Sequence, residues 1–159
     1  MTTPFFADKS DSEAPGTTGG TETRRERLRF ISFSFTRSPS AYCTASVELE
    51  WTVGERYLGR AEGVASPTGD LRLAADATLR AIALFTKGAA VTFELIGVKA
   101  LRAFDANVVI VSVLARRAGG EQRLLGCHLA DEDSLRSAVL ATLAATNRIL
   151  GMVADAGER

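Results

Sequence analysis

The stretch "LRLAADATLRA", Leu71 to Ala81, is answered by "LRSAVLATLAA", Leu135 to Ala145, sixty-four positions later. Leu, Arg, Ala, Ala, Thr, Leu and Ala recur at the same offsets. Both stretches place apolar residues three and four apart, the spacing of an amphipathic helix. The echo extends outward. "ERYLG" (55–59) matches "EQRLLG" (121–126), aligning Gly59 with Gly126 at an offset of sixty-seven, so the loop into the second helix is three residues shorter.

Each helix follows three strand-like segments. "FISFSF" alternates Ile31, Phe33 and Phe35 against Ser32 and Ser34. "SVELEWTV" sets Val47, Leu49, Trp51 and Val53 against Glu48, Glu50 and Thr52. Period two means a strand with one buried face. Gly54-Glu55 turns the chain into "RYLGRAEGVAS", completing a hairpin. "SPTGD" then offers a cap and a proline, and a helix is expected from Gly69 to Lys87. The second cycle reads "VTFELIGVKAL", "DANVVIVSVLA" and "EQRLLGCHLA", then "DEDS" and a helix expected over 132–153. The expected fold is α+β: two pseudo-symmetric βββα units, 28–88 and 91–153, with antiparallel sheets covered by two Ala-rich helices. Ala74, Ala77 and Ala81, with Ala138, Ala141 and Ala145, leave little bulk and allow close helix packing. Residues 1–27, with "RRER" at 24–27 and the aromatic pair Phe5-Phe6, read as a flexible tail, as do 154–159.

In "NVVIVSVL" (107–114) both strand faces are apolar. A strand in a two-layer unit normally keeps one face wet. The second face must be covered by the other half or by another subunit, and a homodimer is expected.

Composition narrows the function classes. The 159 residues hold 46% hydrophobic residues, enough for a core. Lys+Arg and Asp+Glu stand at 19 each, which argues against a general polyanion binder. Cys43 and Cys127 read as buried thiols in a reducing compartment, not a disulfide framework. Without a secretory pattern or a membrane-length apolar run, the expected location is cytoplasmic, with no membrane partner. His128 is the single histidine; strand parity turns it away from Cys127. Metal-ligand spacings, P-loops and nucleophile elbows do not occur. The expectation is a non-enzyme with no catalytic residue, metal or cofactor.

With the repeat in hand, the chain resembles the C-terminal regulatory (allosteric and dimerisation) domain of 2-isopropylmalate synthase. "GVASPTGDLRLAADATLRAI" (63–82), "FELIGVKALRAFDANVVIVSV" (93–113) and "ATNRIL" (145–150) carry the likeness, which covers residues 28–153. It implies a free-standing, non-catalytic module that dimerises and binds a small amino acid or carboxylate; the synthase's catalytic barrel is absent. The matched positions are Gly63, Val64 and Ser66 in the first loop, Asp131 as their partner in the second unit, and Asp105, Ala106 and Asn107 in the turn. There an Asp would accept from an ammonium, and helix N-termini would face a carboxylate. Where the family has Gly-Gly, this chain reads Arg102-Ala103-Phe104, and Phe104 is expected to fill the space. Two alternatives remain. One is a protein–protein interaction module. The other is a double-stranded-RNA binder, which the acidic helix starts "PTGDLRLA" and "DEDSLRSA" disfavour.

Overall fold

A computed structural model describes residues 27–52 and 54–157; Phe5, Phe6, most of the expected N-terminal tail and Val53 lie outside it. The element order is β1 (Arg29–Arg37), β2 (Tyr42–Glu50), β3 (Arg56–Val64), α1 (Pro67–Phe85), β4 (Val91–Ala103), β5 (Ala106–Arg117), β6 (Gly120–Leu129) and α2 (Ser134–Gly157). The strands form two separate antiparallel sheets, β1-β2-β3 and β4-β5-β6. The chain is therefore an α+β fold of two βββα units.

The repeated residues of the sequence make one contact twice. Gly59 on β3 lies against the backbone of Ala77 and Ala81 on α1. Gly126 on β6 lies against Ala141 and Ala145 on α2 in the same way. A Cβ on either glycine would meet helix backbone, so only glycine beneath alanine permits this approach. The paired threonines are duplicated too. Thr78 donates to the Ala74 carbonyl at 2.8 Å, and Thr142 to the Ala138 carbonyl at 2.7 Å. Both hydroxyls are fully buried, and the back-bond satisfies them without a further partner.

Each helix also crosses to the other unit. Arg72 on α1 donates to the Leu95 carbonyl of β4 at 3.3 Å. Its counterpart Arg136 on α2 stacks over the Phe30 ring of β1, 5.2 Å from the centroid. Each helix runs antiparallel to the strand before it, so α1 starts where β3 ends and α2 starts where β6 ends.

The structure differs from the sequence expectations in several places, and α1 runs Pro67–Phe85, starting and ending two residues before the expected bounds. A register shift between Phe30 and Ser32 puts Phe30 on the inner face and leaves Ile31 exposed. β2 ends at Glu50: Trp51 enters the turn, its amide donating to the Glu55 carbonyl at 3.1 Å. Cys43 is buried, but Cys127 is exposed on the outer face of β6. α2 continues to Gly157, past the expected end at Val153. At that length α2 passes a composition test for crossing a bilayer, against the expectation of strand-sized apolar runs; 56% of the tested window is buried inside the fold, against β5, β6 and α1.

Candidate functional site

Three places in the fold were candidates for function: the helix N-termini, the outer face of the second sheet, and a cleft at the helix C-terminal end.

The two helix N-termini hold the expected ligand residues, one group in each unit. In the first unit, Gly63 and Val64 end β3 and Ser66 caps α1, accepting from the Gly69 amide at 3.0 Å. Ala65 is tied to the β1–β2 turn through Ala41, N to O 2.7 Å. In the second unit, Ala130 is tied to Asn107 in the same way at 2.8 Å, which brings Asp131 beside the turn of Asp105 and Ala106. Among the described residues, no hydrogen bond or ion pair joins the two groups. Both helix starts supply their own acceptors. Asp70 accepts from the Ser66 amide and pairs with Arg37 at 2.5 Å; Asp133, not Asp131, caps α2 through the Leu135 and Arg136 amides. The β4–β5 turn is a tight one with positive φ at both Phe104 (52°) and Asp105 (61°). That conformation is costly for a bulky side chain. Phe104 is fully exposed, so it does not fill the space the family's glycines leave.

The two sheets differ on the faces turned away from the helices. The centre strand β2 presents Tyr42, Thr44, Ser46 and Glu48, between Ser32, Ser34 and Thr36 on β1 and Leu58, Arg60, Glu62 and Val64 on β3, so the face is polar at its centre with apolar residues at its two ends. Its equivalent β5 presents Val108, Ile110, Ser112 and Leu114. They are flanked by Leu101, Lys99 and Glu94 on β4 and by Leu125, Cys127, Leu129 and Arg123 on β6, so the apolar patch has a charged border. Leu125 is 70% exposed and Leu129 54%. Neither helix reaches this face, because both pack on the inner side. Sequence reasoning found the two-faced β5 but missed β6, where "LLGCHL" carries apolar residues of both parities.

The cleft, of about 690 Å³, lies between the β2–β3 turn, the end of α1 and the last turns of α2. Trp51, Phe85, Val91, Ile149 and Met152 line it, with Glu55, Lys87 and Arg117 among its polar side chains. Trp51 packs on Phe85 at 4.8 Å between centroids, and Tyr57 meets the same ring edge-on at 5.6 Å. Burial, then the Glu55 carboxylate, raise the Tyr57 hydroxyl above its ordinary value. No sequence motif marked this cleft, because its walls come from four separated segments.

A second concavity, between α1 and β4, holds Arg72, Arg80 and Arg116 around Asp76 and Glu94. Desolvation raises the Asp76 carboxyl above its ordinary value, against the opposing pull of Arg72 and then Arg80. Neither concavity includes any of the expected ligand residues. His128 binds the carbonyl of Leu129 through Nδ1 at 2.7 Å. Among the described residues, no group of three His, Cys, Asp or Glu side chains could hold a metal ion.

A scan against protein-family models finds none that matches this chain, and a search of curated proteins finds no similar sequence.

Proposed function

We propose that the chain is a non-catalytic regulatory module that works as a homodimer, joined through the outer face of β4-β5-β6. The observation that carries this reading is the contrast between duplicated strands. The same architectural positions hold Thr44, Ser46 and Glu48 in one unit and Val108, Ile110 and Ser112 in the other. A duplicated scaffold gives no reason for one outer face to be apolar unless something covers it. Three strands of 10 to 13 residues make a face roughly 14 Å by 35 Å. That is the scale of a standard interface, about 800 Å² of accessible surface per partner. A second copy suits it because flat, branched aliphatic faces pack on one another as in a β-sandwich, and an isologous pair closes without leaving a free face.

The test is size-exclusion chromatography of Leu125→Lys combined with Leu129→Lys. Both side chains are exposed, so the fold should survive, and the variant should elute later than the parent. Elution at the parent's volume would remove the face from the interface.

The same reading includes a small amino acid or carboxylate as regulator, as the resemblance to the 2-isopropylmalate synthase regulatory domain implies. What supports it is that each helix N-terminus stands beside the hairpin turn of its own unit, with Ala65 tied to Ala41 and Ala130 to Asn107. A ligand that binds only the folded state raises the melting temperature by mass action. A thermal-shift screen of the twenty amino acids showing no shift would dismiss that part while leaving the dimer untouched.

A further inference from the structure

We infer that the cleft at the helix C-terminal end is the docking site of this chain's own N-terminal segment, with Phe5 and Phe6 as the side chains that fill it. Three observations converge on that occupant.

The first is where the chain leaves the domain. Arg29 pairs with Glu50 in the β1–β2 register, and their side chains form an ion pair at 2.8 Å. Leu28 is buried in the core one step further, at the end of the sheet where β2 runs into Trp51. Arg27, the first described residue, therefore stands at the end of the sheet that carries the cleft's Trp51.

The second is complementary chemistry. The cleft offers aromatic and aliphatic walls, Trp51, Phe85, Val91 and Met152, with two cations, Lys87 and Arg117, against one carboxylate, Glu55. Among the described residues, neither cation has a carboxylate partner; Arg117 instead reaches Gln122 at 3.2 Å and the Met152 sulfur at 4.0 Å. The segment "PFFADKSDSE" (4–13) supplies two adjacent aromatics followed by Asp8, Asp11 and Glu13, with Lys9 the single opposing charge. Phe5-Phe6 is the one aromatic pair in a stretch otherwise rich in Thr, Gly, Ser and charge.

The third is reach. Twenty-one residues lie between Phe6 and Leu28, nine of them Gly, Ser or Thr. A flexible linker of that length has a root-mean-square span of roughly 25 Å. That suffices to return to a cleft at the same end of the sheet. Tethering then holds the aromatics at an effective concentration on the order of millimolar, so weak intrinsic affinity is enough. The inference rests on the cleft and not on the sheet face, so it stands or falls independently of self-association.

The test uses the full chain with Phe6→p-benzoylphenylalanine and irradiation, followed by peptide mapping. Cross-links to the peptides carrying Met152 or Trp51 are expected. Cross-links confined to the β4-β5-β6 face, or distributed without preference, would overturn the proposal. A second measurement does not depend on the unnatural residue. Trp51 is the single tryptophan, so its emission reports the cleft alone. Phe5→Ser with Phe6→Ser should shift that emission to the red and make it more readily quenched by acrylamide, with the circular dichroism unchanged. Identical emission and quenching in parent and variant would equally refute the docking.

Discussion

Substituting Gly59 by Ala adds one methyl group at the closest approach of β3 to α1. In most strands that change is neutral or favourable, because alanine has less freedom to lose on folding, by about 0.4–1 kcal/mol. Here the added Cβ would meet the Ala77 carbonyl oxygen and the Ala81 amide, with the Ala81 Cα at 3.0 Å. These are backbone atoms of a buried helix, and they cannot rotate aside. Overpacking typically costs 1–3 kcal/mol. The upper end, about 3 kcal/mol, applies when nothing flexible can yield. After the entropic offset, roughly 2 kcal/mol of destabilisation remains, or a fall of about 4–8 °C in melting temperature for a chain of this size. Gly126→Ala should cost the same, because its Cβ would meet Ala141 and Ala145 in the same way. Gly119→Ala is the control: no atom lies within 4 Å of its Cβ, and its melting temperature should match or exceed the parent's. Thermal unfolding followed by far-ultraviolet circular dichroism reads all three. If Gly59→Ala and Gly119→Ala melt together, the glycine-under-alanine contact is not what fixes the helices on the sheets.

Three further outcomes follow from single groups. Asp133→Ala removes the cap that takes the Leu135 and Arg136 amides and should cost about 1 kcal/mol in urea unfolding, whereas Asp131→Ala should change stability by less than about 0.5 kcal/mol. Asp76 holds its proton more tightly in the folded than in the unfolded chain, so its contribution to stability is present in acid and lost as the pH rises through its raised value. Asp76→Asn should therefore raise the melting temperature at neutral pH and lose that gain in acid; a gain that persists in acid would refute the desolvation account. Cys127 lies on the exposed β6 face and Cys43 is buried, so a thiol reagent should modify one site, and raising protein concentration should slow that reaction as the face is covered.

The repeat could be read from sequence because the same physical contact demands the same residues. Glycine opposite alanine, and threonine bonded back along its own helix, leave no freedom at Gly59, Ala77 and Thr78 or at Gly126, Ala141 and Thr142. The phase of β1 was legible at Phe33 and Phe35, which pack on the core as the alternation requires, but not before them, because one extra residue near Ile31 turns Phe30 inward instead. Trp51 looked like strand because it continues the apolar period of β2; the turn hydrogen bond to Glu55 claims it instead. The apolar surface was half legible. β5 showed its two apolar faces within eight residues, but Leu125 and Leu129 join it only through the β5–β6 register. The cleft was invisible, since Trp51, Phe85, Arg117 and Met152 are brought together by the tertiary fold alone.

The central claim is that the apolar outer face of β4-β5-β6 joins two copies of the chain. Light scattering at about 0.1 mM, well above a micromolar dissociation constant, tests it most directly with a matched pair of lysines. Leu125→Lys places the charge on the apolar face, and Ser46→Lys places it on the equivalent polar face of the other sheet. The account predicts twice the chain mass of 16.9 kDa for the parent and for Ser46→Lys, and a single chain mass for Leu125→Lys. A parent of 16.9 kDa, or a dimer that Leu125→Lys leaves intact, would contradict it.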